Sequence, residues 1–254
     1  MYNNSANTQF TGKSIHFLPS CHSTNTEASL LIRAQKAVNG LIVITNEQTA
    51  GRGQQGNSWL SKADSNLTFS VIFFPEKLHL KDSFYLNIVS SLSIAKTVDE
   101  LVPENIVKVK WPNDILLNNK KVCGILIENM LRGEHIHAVV MGIGVNVNHS
   151  DGNLPFAGAM SSEAAKTFHL QEVFTRICEN LEPYYLMLEQ GLFAELDALY
   201  LQNLYGLNEK KHFSDSEGNF TGTIQAVLPG GLLQVEKESG VIKQYTFKEV
   251  SLVK

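Results

Sequence analysis

The sequence predicts a fold that mixes β-strands with α-helices and ends in a small all-β domain. Residues 108–148 contain several β-type runs separated by short turns, which predicts a meander of antiparallel hairpins. Residues 161–204 carry apolar side chains at helical spacing. From about Asn208, short β-type segments alternate with glycines and charged turns, which predicts an antiparallel barrel or sheet. We therefore expect a main domain over residues 1–207 and a terminal domain over residues 208–254.

The part of the chain before the meander is predicted to alternate between strands and helices. Residues 1–12 are polar, and we expect them to be loose. One helix should begin at Thr24, because Thr24 and Glu27 have the spacing of a capping box, and it should end at Asn39-Gly40. A second helix should begin at Asp82 and stop at Pro103. The strands predicted in this part are residues 14–18, 41–44 and 67–74.

The composition excludes several classes of protein. With 43% hydrophobic and 18% charged residues, the chain resembles an ordinary globular protein that can bury a core. A net charge of −4 gives no global reason to expect binding to nucleic acid. Cys21, Cys123 and Cys178 are widely spaced and form no C-x-x-C motif, which favours the reducing cytoplasm and argues against disulfides or structural zinc. No apolar stretch approaches the length of a membrane span, so no membrane attachment is expected.

A glycine-rich segment, residues 48–59 with the sequence QTAGRGQQGNSW, lies between two predicted strands. Its glycines let backbone N–H groups approach a ligand closely, and Arg52 adds a guanidinium suited to a carboxylate or phosphate. The segment is therefore predicted to close over an anion. A dinucleotide-binding loop is disfavoured because a strand rather than a helix follows, and the lysine of a P-loop is absent. A flexible surface connection remains open as the simpler alternative.

A second charged segment lies in the meander. Lys110 ends an alternating strand, Pro112-Asn113-Asp114 forms the following turn, and Lys121 lies on the next hairpin. Alone, these residues fit a solvated strand face and an ordinary turn. Together with Arg52, the two lysines could offset several negative charges, and Asp114 could hold Mg²⁺ with a triphosphate. This combination favours ATP-dependent activation of a carboxylate, a reaction that needs no protein nucleophile.

The motifs occur in an order that resembles the biotin protein ligases. The segments that carry the resemblance are Ser23-Thr24-Asn25, Gln48, Gly51-Arg52-Gly53, Trp59, Asn66-Leu67, Lys110-Trp111-Pro112-Asn113-Asp114, Lys121, residues 124–128 (GILIE) and residues 142–146 (GIGVN). The resemblance implies an α+β fold, in which a central mixed β-sheet has helices packed on one side, as in class II aminoacyl-tRNA synthetases. It also implies a small SH3-like β-barrel at the C-terminal end.

The resemblance implies a reaction in two steps. Biotin and MgATP would form biotinyl-5′-AMP and pyrophosphate, and a lysine of a biotin carboxyl carrier protein would then displace AMP. The expected ligands are thus ATP, Mg²⁺ and the substrate biotin, and the expected partner is a carboxylase carrier domain. Members of this family occur as monomers and as homodimers, and the sequence leaves that choice open.

The resemblance also assigns site residues by position. Ser23, Thr24 and Gln48 would bind the ureido ring, or Ser23-Thr24 could serve merely as a helix cap. The expected biotin-binding set is Ser23, Thr24, Asn25, Gln48, Gly51, Arg52, Gly53, Lys121, Gly124 and Gly142. The expected nucleotide-binding set is Arg52, Gln54, Trp59, Asn66, Lys110, Asn113 and Asn146. The expected catalytic residues are Arg52, Lys110 and Lys121, with Asp114 as the Mg²⁺ ligand.

Two features depart from the family pattern. Many members carry an arginine where this chain has Gln54, so we expect faster release of biotinyl-AMP. Residues 1–13 are too few for the winged-helix domain of repressor-type members, so no binding to operator DNA is expected. Two rival interpretations remain: a lipoate ligase or octanoyl transferase of related fold, and a non-catalytic binding protein that uses the terminal barrel for interaction.

Overall fold

The computed structural model describes residues 2–151 and 156–253, and these ranges contain two β-sheets and five α-helices. No helix within them has the length and apolarity to cross a membrane. The strands of the first sheet are β1 (Ile15–Cys21), β2 (Ile42–Gln48), β3 (Leu67–Phe73), β4 (Val107–Lys110), β5 (Asp114–Leu117), β6 (Lys120–Arg132) and β7 (His135–Val145). The helices are α1 (Thr24–Arg33), α2 (Phe84–Leu101), α3 (Met160–Ala164), α4 (Leu170–Glu189) and α5 (Phe193–Asn203).

The first sheet is mixed, as predicted. Its strand order is β1-β2-β3-β7-β6-β5-β4, in which β1 and β2 are parallel and every other neighbouring pair is antiparallel. The meander predicted over residues 108–148 supplies β4 to β7. Its β5–β6 turn is Asn118-Asn119, where both residues have positive φ (50° and 65°), the backbone that a tight hairpin requires and asparagine tolerates.

The two faces of this sheet carry different layers. The apolar side chains of α2 and α4 pack with those of β3, β6 and β7 in the main core, which confirms the prediction of helices on one side. The short helix α1 lies on the opposite face, where Ala28 joins a small cluster with Val43, Ile72 and Val140. All seven residues of β3 are buried, because this strand is covered from both sides.

The helices differ from the predictions at their ends. Helix α1 stops at Arg33 rather than at Asn39-Gly40, because Gln35 adopts a left-handed backbone (φ 55°) that breaks the helical bonds. Helix α2 begins at Phe84, after a short 3₁₀ turn that contains Asp82. The helical region 161–204 is divided into three helices by left-handed residues at Ala165 (φ 48°) and Gly191 (φ 73°).

The N-terminal residues are held in place, so the prediction that they are loose is wrong. The Glu182 carboxylate on α4 accepts the backbone N–H groups of Gln9 (2.5 Å), Phe10 (3.0 Å) and Thr11 (2.8 Å). Earlier in the segment, the backbone N–H of Asn7 donates to Glu179 Oε1 at 3.0 Å. The polar composition of residues 1–12 thus reflects bonding to α4 rather than solvation.

The second sheet is antiparallel and fits an SH3-like domain. Its strands are β8 (Lys210–Asp215), β9 (Gly218–Val227), β10 (Leu233–Lys237), β11 (Ile242–Tyr245) and β12 (Val250–Val253), in the order β11-β10-β9-β8-β12. The sequence had indicated three of these strands but not β8 or β12. The domain packs directly on the first sheet: Trp111 Nε1 donates to Gly231 O at 3.0 Å, and the Trp111 ring contacts Phe247.

Candidate active site

A cleft of about 440 Å³ opens on the α1 face of the first sheet, within the size range of small-molecule sites. Its walls are the glycine-rich segment, the β4–β5 turn and the second sheet. The structure brings fourteen of the predicted site residues to its lining: Ser23, Thr24, Asn25, Gln48, Arg52, Gly53, Gln54, Trp59, Lys110, Asn113, Asp114, Lys121, Gly124 and Gly142.

The floor of the cleft is one row of residues that crosses five strands. In the strand registers, Lys110 lies opposite Asp114, Asp114 opposite Gly124, Gly124 opposite Gly144, and Gly144 opposite Thr68. Residues that lie opposite one another share a face of the sheet, so all five positions lie on the cleft side. Two adjacent glycines at the centre of the row leave a trough without side chains.

Trp59 fills this trough. A Cβ atom at Gly144 would overlap the Trp59 indole, and one at Gly124 would lie 3.0 Å from Trp59 Cζ3. The backbone N–H of Trp59 donates to Gly51 O at 2.9 Å, which folds the glycine-rich segment back over the sheet. A Cβ atom at Gly51 would in turn overlap the carbonyl oxygen of Trp59. Gly51 therefore allows the close backbone contact with Trp59 that folds the segment, although Gly51 itself does not line the cleft.

Neutral polar side chains gather at the α1 end of the cleft. Gln48 Oε1 accepts the backbone N–H of Thr24 at 2.7 Å, and the Ser70 hydroxyl lies 2.7 Å from Thr24 Oγ1 and 2.6 Å from Asn25 Oδ1. A Cβ atom at Gly142 would overlap the Asn25 side chain, so this position must remain glycine for Asn25 to fit. The arrangement offers oriented donors and acceptors to an uncharged polar group.

The lysines Lys110 and Lys121 lie at the other end, whereas Arg52 lies nearer Asn25, and the three cations differ in their partners. Arg52 Nη2 lies 3.1 Å from Glu128 Oε2, and Lys121 Nζ lies 2.6 Å from Asp114 Oδ1. Lys121 also lies 5.9 Å from the centre of the Trp59 ring. Lys110 forms no ion pair with any residue that the structure describes. The site thus has three cations but only two paired carboxylates, so it can bind further negative charge from a ligand.

The turn between β4 and β5 is fixed by buried contacts. The Asn113 amide donates to the carbonyl oxygen of Ile125, and the Tyr200 hydroxyl donates to the carbonyl oxygen of Pro112 at 3.0 Å. Burial, with a smaller effect from the charge of Asp114, raises the pKa of Tyr200, so this hydroxyl stays protonated and remains a donor. These contacts hold Lys110 and Asp114 at the two ends of a rigid turn.

The site fits Mg²⁺ only as an ion that arrives with a nucleotide. Among the described residues, no group of three or more His, Cys, Asp or Glu side chains could hold a metal by itself. Asp114 offers one carboxylate, which in the free protein is engaged by Lys121. One or two carboxylates suffice when phosphate oxygens and water complete the octahedral shell of Mg²⁺.

Two predicted nucleotide contacts lie beside the cleft rather than in its lining. Asn66 Oδ1 accepts the backbone N–H groups of Val147 (3.0 Å) and His149 (3.1 Å), while its Nδ2 donates to His149 O at 2.9 Å. Asn146 Nδ2 donates to Gly158 O at 3.1 Å. Both side chains are buried, and their described contacts tie the segment that follows β7 to the sheet.

Sequence reasoning missed several residues of the site. Thr68 is 5% exposed, and neither its hydroxyl nor the Trp59 indole N–H has a hydrogen-bond partner among the described residues, so both are buried polar groups with unmet hydrogen-bonding capacity beside the cleft. The polar alternation of Thr68 and Ser70 within an otherwise apolar strand was the available signal. Phe247 and Lys248 also line the cleft from the second sheet, and no local pattern indicated that contact.

The thiol of Cys123, next to the lining residue Gly124, is not a nucleophile. Cys123 is fully buried in β6, and this burial raises the pKa of its thiol far above the ordinary value. The thiolate form is thus negligible at neutral pH.

Comparisons with known proteins agree with the geometry. A family comparison matches residues 17–146 to the biotin/lipoate A/B protein ligase family, which is slightly more than half of the chain. The chain is 27% identical over 215 residues to the bifunctional ligase/repressor BirA of Bacillus subtilis, and this match covers 83% of the chain and 66% of BirA. It is 35% identical over 150 residues to the biotin–[acetyl-CoA-carboxylase] ligase of Paracoccus denitrificans, covering 59% of each. The matched part of the chain thus spans less than two-thirds of these curated relatives.

A solved structure of similar fold spans nearly the whole chain. The biotin protein ligase from Aquifex aeolicus, in complex with biotin and ATP, superimposes with a TM-score of 0.77 at 26% identity. The superposition covers 95% of this chain and 99% of that one. The similarity therefore extends over both β-sheets rather than over the first one alone.

Proposed function

Because the chain belongs to the biotin/lipoate A/B protein ligase family, we propose that it joins biotin, through biotinyl-5′-AMP, to a lysine of a carrier protein. The observation that carries the proposal is the division of one cleft into a neutral polar end and a cationic end. Thr24 and Gln48 mark the first, and Lys110 and Lys121 mark the second. Arg52 adds a third cation to the lining, near Asn25. Biotin has the same division, with an uncharged ureido ring at one end and a carboxylate at the other.

The cationic end supports the first step. The biotin carboxylate oxygen attacks the α-phosphorus of ATP, a P–O bond to pyrophosphate breaks, and a mixed anhydride with AMP forms. Two anions must meet for this step, and their repulsion is the main barrier that the protein can lower. Arg52 binds the biotin carboxylate, while Lys110, which lacks a described ionic partner, stabilises charge on the α-phosphate. Asp114 would hold Mg²⁺ that arrives with the triphosphate, and the ion would supply further charge neutralisation.

The second step is attack on the anhydride by an external amine. The lysine amine of the carrier protein bonds to the biotinyl carbonyl carbon and gives up one proton to solvent, while the bond from that carbon to the phosphate oxygen breaks and AMP leaves with the electron pair. The Paracoccus relative is named for acetyl-CoA carboxylase, which supports a carrier domain of that carboxylase as the partner. We place the reaction in the cytoplasm, where such carboxylases and ATP occur together.

The polar end of the cleft favours biotin over the other acids handled by this family. Octanoate and lipoate end in apolar or disulfide groups that cannot use the donors and acceptors around Gln48 and Thr24. The same comparison argues against a pure binding protein, because a neutral ring pocket alone would not need three cations beside it.

Exchange of pyrophosphate into ATP tests this proposal directly. Biotin should support exchange, while lipoate and octanoate at equal concentration should not. Exchange with only the fatty acids would assign the chain to the lipoate side of the family. No exchange with any of the acids would leave the binding-protein interpretation.

A further inference from the structure

Glu128 contacts two residues of the cleft, Asn25 and Arg52, although it does not line the cleft itself. Its Oε2 atom accepts a hydrogen bond from Asn25 Nδ2 at 2.8 Å and lies 3.1 Å from Arg52 Nη2. Glu128 lies near the middle of β6, opposite Val140 of β7. A single carboxylate oxygen on a rigid strand therefore joins helix α1 to the glycine-rich segment.

The contact continues from Glu128 to the ring end of the cleft. Asn25 Oδ1 lies 2.6 Å from the Ser70 hydroxyl, which lies 2.7 Å from Thr24 Oγ1. Thr24 Oγ1 in turn donates to Gln48 Oε1 at 3.2 Å. Every link is a direct contact between side chains, so the chain from Gln48 to Glu128 needs no bridging water.

The Asn25 contact makes Glu128 a fixed anchor rather than a mobile counter-ion. Asn25 is 3% exposed, and its amide is confined between α1 and the space above Gly142. Asn25 Nδ2 also lies 3.3 Å from Leu126 O, so the amide cannot turn with the loop. The carboxylate oxygen held by Asn25 consequently stays in place when Arg52 moves.

The ion pair contributes little to folding. The side chains of Arg52 and Glu128 are 49% and 36% exposed, and pairs of that exposure add little to stability. Arg52 has five N–H donors, and Glu128 engages only one amino group. The remaining donors of the guanidinium are free to face an anion in the cleft.

We propose that Glu128 is a positioning residue, which holds Arg52 where its guanidinium meets an anion in the cleft. The proposal rests on the proposed function for the identity of the anion, which is the biotin carboxylate and then the adenylate phosphate. Asn25 fixes Glu128, and Glu128 fixes Arg52. Loss of the anchor weakens retention of the acid and the adenylate, whereas the cations that serve the chemical step remain.

The first test needs no ligand. Trypsin cleaves after arginine or lysine when the segment is free, so cleavage between Arg52 and Gly53 reports on the anchor in the free protein. Glu128→Gln and Glu128→Ala should accelerate this cleavage by about two- to fivefold, the range expected for loss of an exposed ion pair. Cleavage after Lys62, an exposed lysine outside the described contacts of Glu128, should keep its rate. Equal rates at Arg52 in all three proteins would overturn the proposal.

The second test separates positioning from catalysis. In pyrophosphate exchange, both variants should raise KM for biotin by about two- to fivefold, the range expected for loss of an exposed ion pair. The kcat at saturating biotin should change little, and bound biotinyl-AMP should dissociate faster. Glu238→Gln is the matched control, because it breaks a Lys210–Glu238 pair of the same 3.1 Å length, exposed and remote from the cleft.

The outcomes distinguish the two proposals. A loss confined to kcat, or an unchanged KM and adenylate lifetime in an active protein, would refute the role of Glu128. A wild-type protein inactive with biotin would refute the proposed function. The rates of tryptic cleavage would then test by themselves whether Glu128 holds Arg52 in place. Because Glu128→Gln keeps the shape of the side chain, a similar melting temperature for this variant excludes unfolding as the cause.

Discussion

The Asp114 carboxylate lies 2.6 Å from the Lys121 ammonium, on the neighbouring strand β6. Lys110 lies directly opposite Asp114 in the β4–β5 register, but the Asp114 carboxylate forms its ion pair with Lys121 and not with Lys110. The structure thus neutralises one lysine of the cleft and leaves the other uncompensated among the described residues. An uncompensated cation fixed on a rigid strand is suited to charge that develops during a reaction.

Lys110→Ala should reduce biotin adenylation on the order of 100-fold, the usual cost of removing a preorganised electrostatic donor. The measurement is the rate of pyrophosphate exchange at saturating biotin and ATP. Lys108→Ala is the matched control, because Lys108 lies two residues earlier on the same strand and its ammonium lies near Gln202 O instead. Near-normal exchange in Lys110→Ala would remove Lys110 from the mechanism.

Gly144→Ala should displace Trp59 from the trough, because the added methyl group would overlap the indole. We expect exchange to fall on the order of 100-fold, as when a binding group is misplaced by about 1 Å. Tryptophan fluorescence should shift to the red as the ring becomes hydrated. Gly133→Asn, in an open turn where asparagine tolerates the positive φ of 60°, should leave both signals unchanged. An unshifted spectrum in Gly144→Ala would show that Trp59 does not occupy the trough.

Gln54→Arg should slow the release of biotinyl-AMP. Gln54 lines the cleft in a short turn beside Arg52, so an arginine there adds a second cation near the phosphate. The expected effect is about two- to fivefold, because Gln54 is only partly buried and charges that remain in contact with solvent interact weakly. The dissociation rate of labelled adenylate provides the measurement, and Gln190→Arg, at the exposed end of α4, is the control. Identical release rates in the variant and the wild type would show that Gln54 does not weaken the binding of biotinyl-AMP.

Glu182 should make the fold sensitive to acid. Burial would raise the pKa of its carboxyl group, but hydrogen bonds from the N–H groups of Gln9, Phe10 and Thr11 outweigh this effect and lower the pKa below 4.5. A carboxyl group whose pKa is depressed in the folded state stabilises the fold above its unfolded pKa. That stabilisation is lost as the pH falls through the folded pKa.

Glu182→Gln should therefore lower the free energy of unfolding by about 2–4 kcal/mol at neutral pH, because one amide oxygen cannot replace two carboxylate oxygens. The variant should also lose less stability than the wild type between neutral pH and about pH 3. Urea unfolding across this range measures both effects, with Glu172→Gln, exposed on the first turn of α4, as the control. Parallel declines in the variant and the wild type would contradict this account of Glu182.

Local patterns in the sequence were sufficient for most of the fold. Alternation and turn residues predicted the meander, and the meander placed Lys110 and Lys121 at one surface. The mixed sheet and the helices on one face, which the resemblance to the family implied, are confirmed. Glycine spacing also located the segment that carries Arg52, because glycine marks close backbone approach whatever the tertiary context.

The features that the sequence did not predict depend on contacts between distant residues. Ser70 and Glu128 contact Asn25 because β3, β7 and β6 are neighbours in the sheet and α1 lies across them. Local sequence patterns do not predict which residues of distant strands and helices lie side by side. The same holds for Glu182, whose partners lie more than 170 residues earlier in the chain. Asn66 was expected at the nucleotide, but its amide is occupied by the segment after β7.

Transfer of biotin to a carrier lysine is the most direct test of the central claim. The protein would be incubated with biotin, ATP, Mg²⁺ and the biotin carrier domain of an acetyl-CoA carboxylase, and the intact mass of the carrier would be measured. The account predicts one biotinyl group on one lysine, dependent on ATP and strongly reduced in Lys110→Ala. A carrier that stays unmodified here, while an established biotin protein ligase modifies the same preparation, would contradict it.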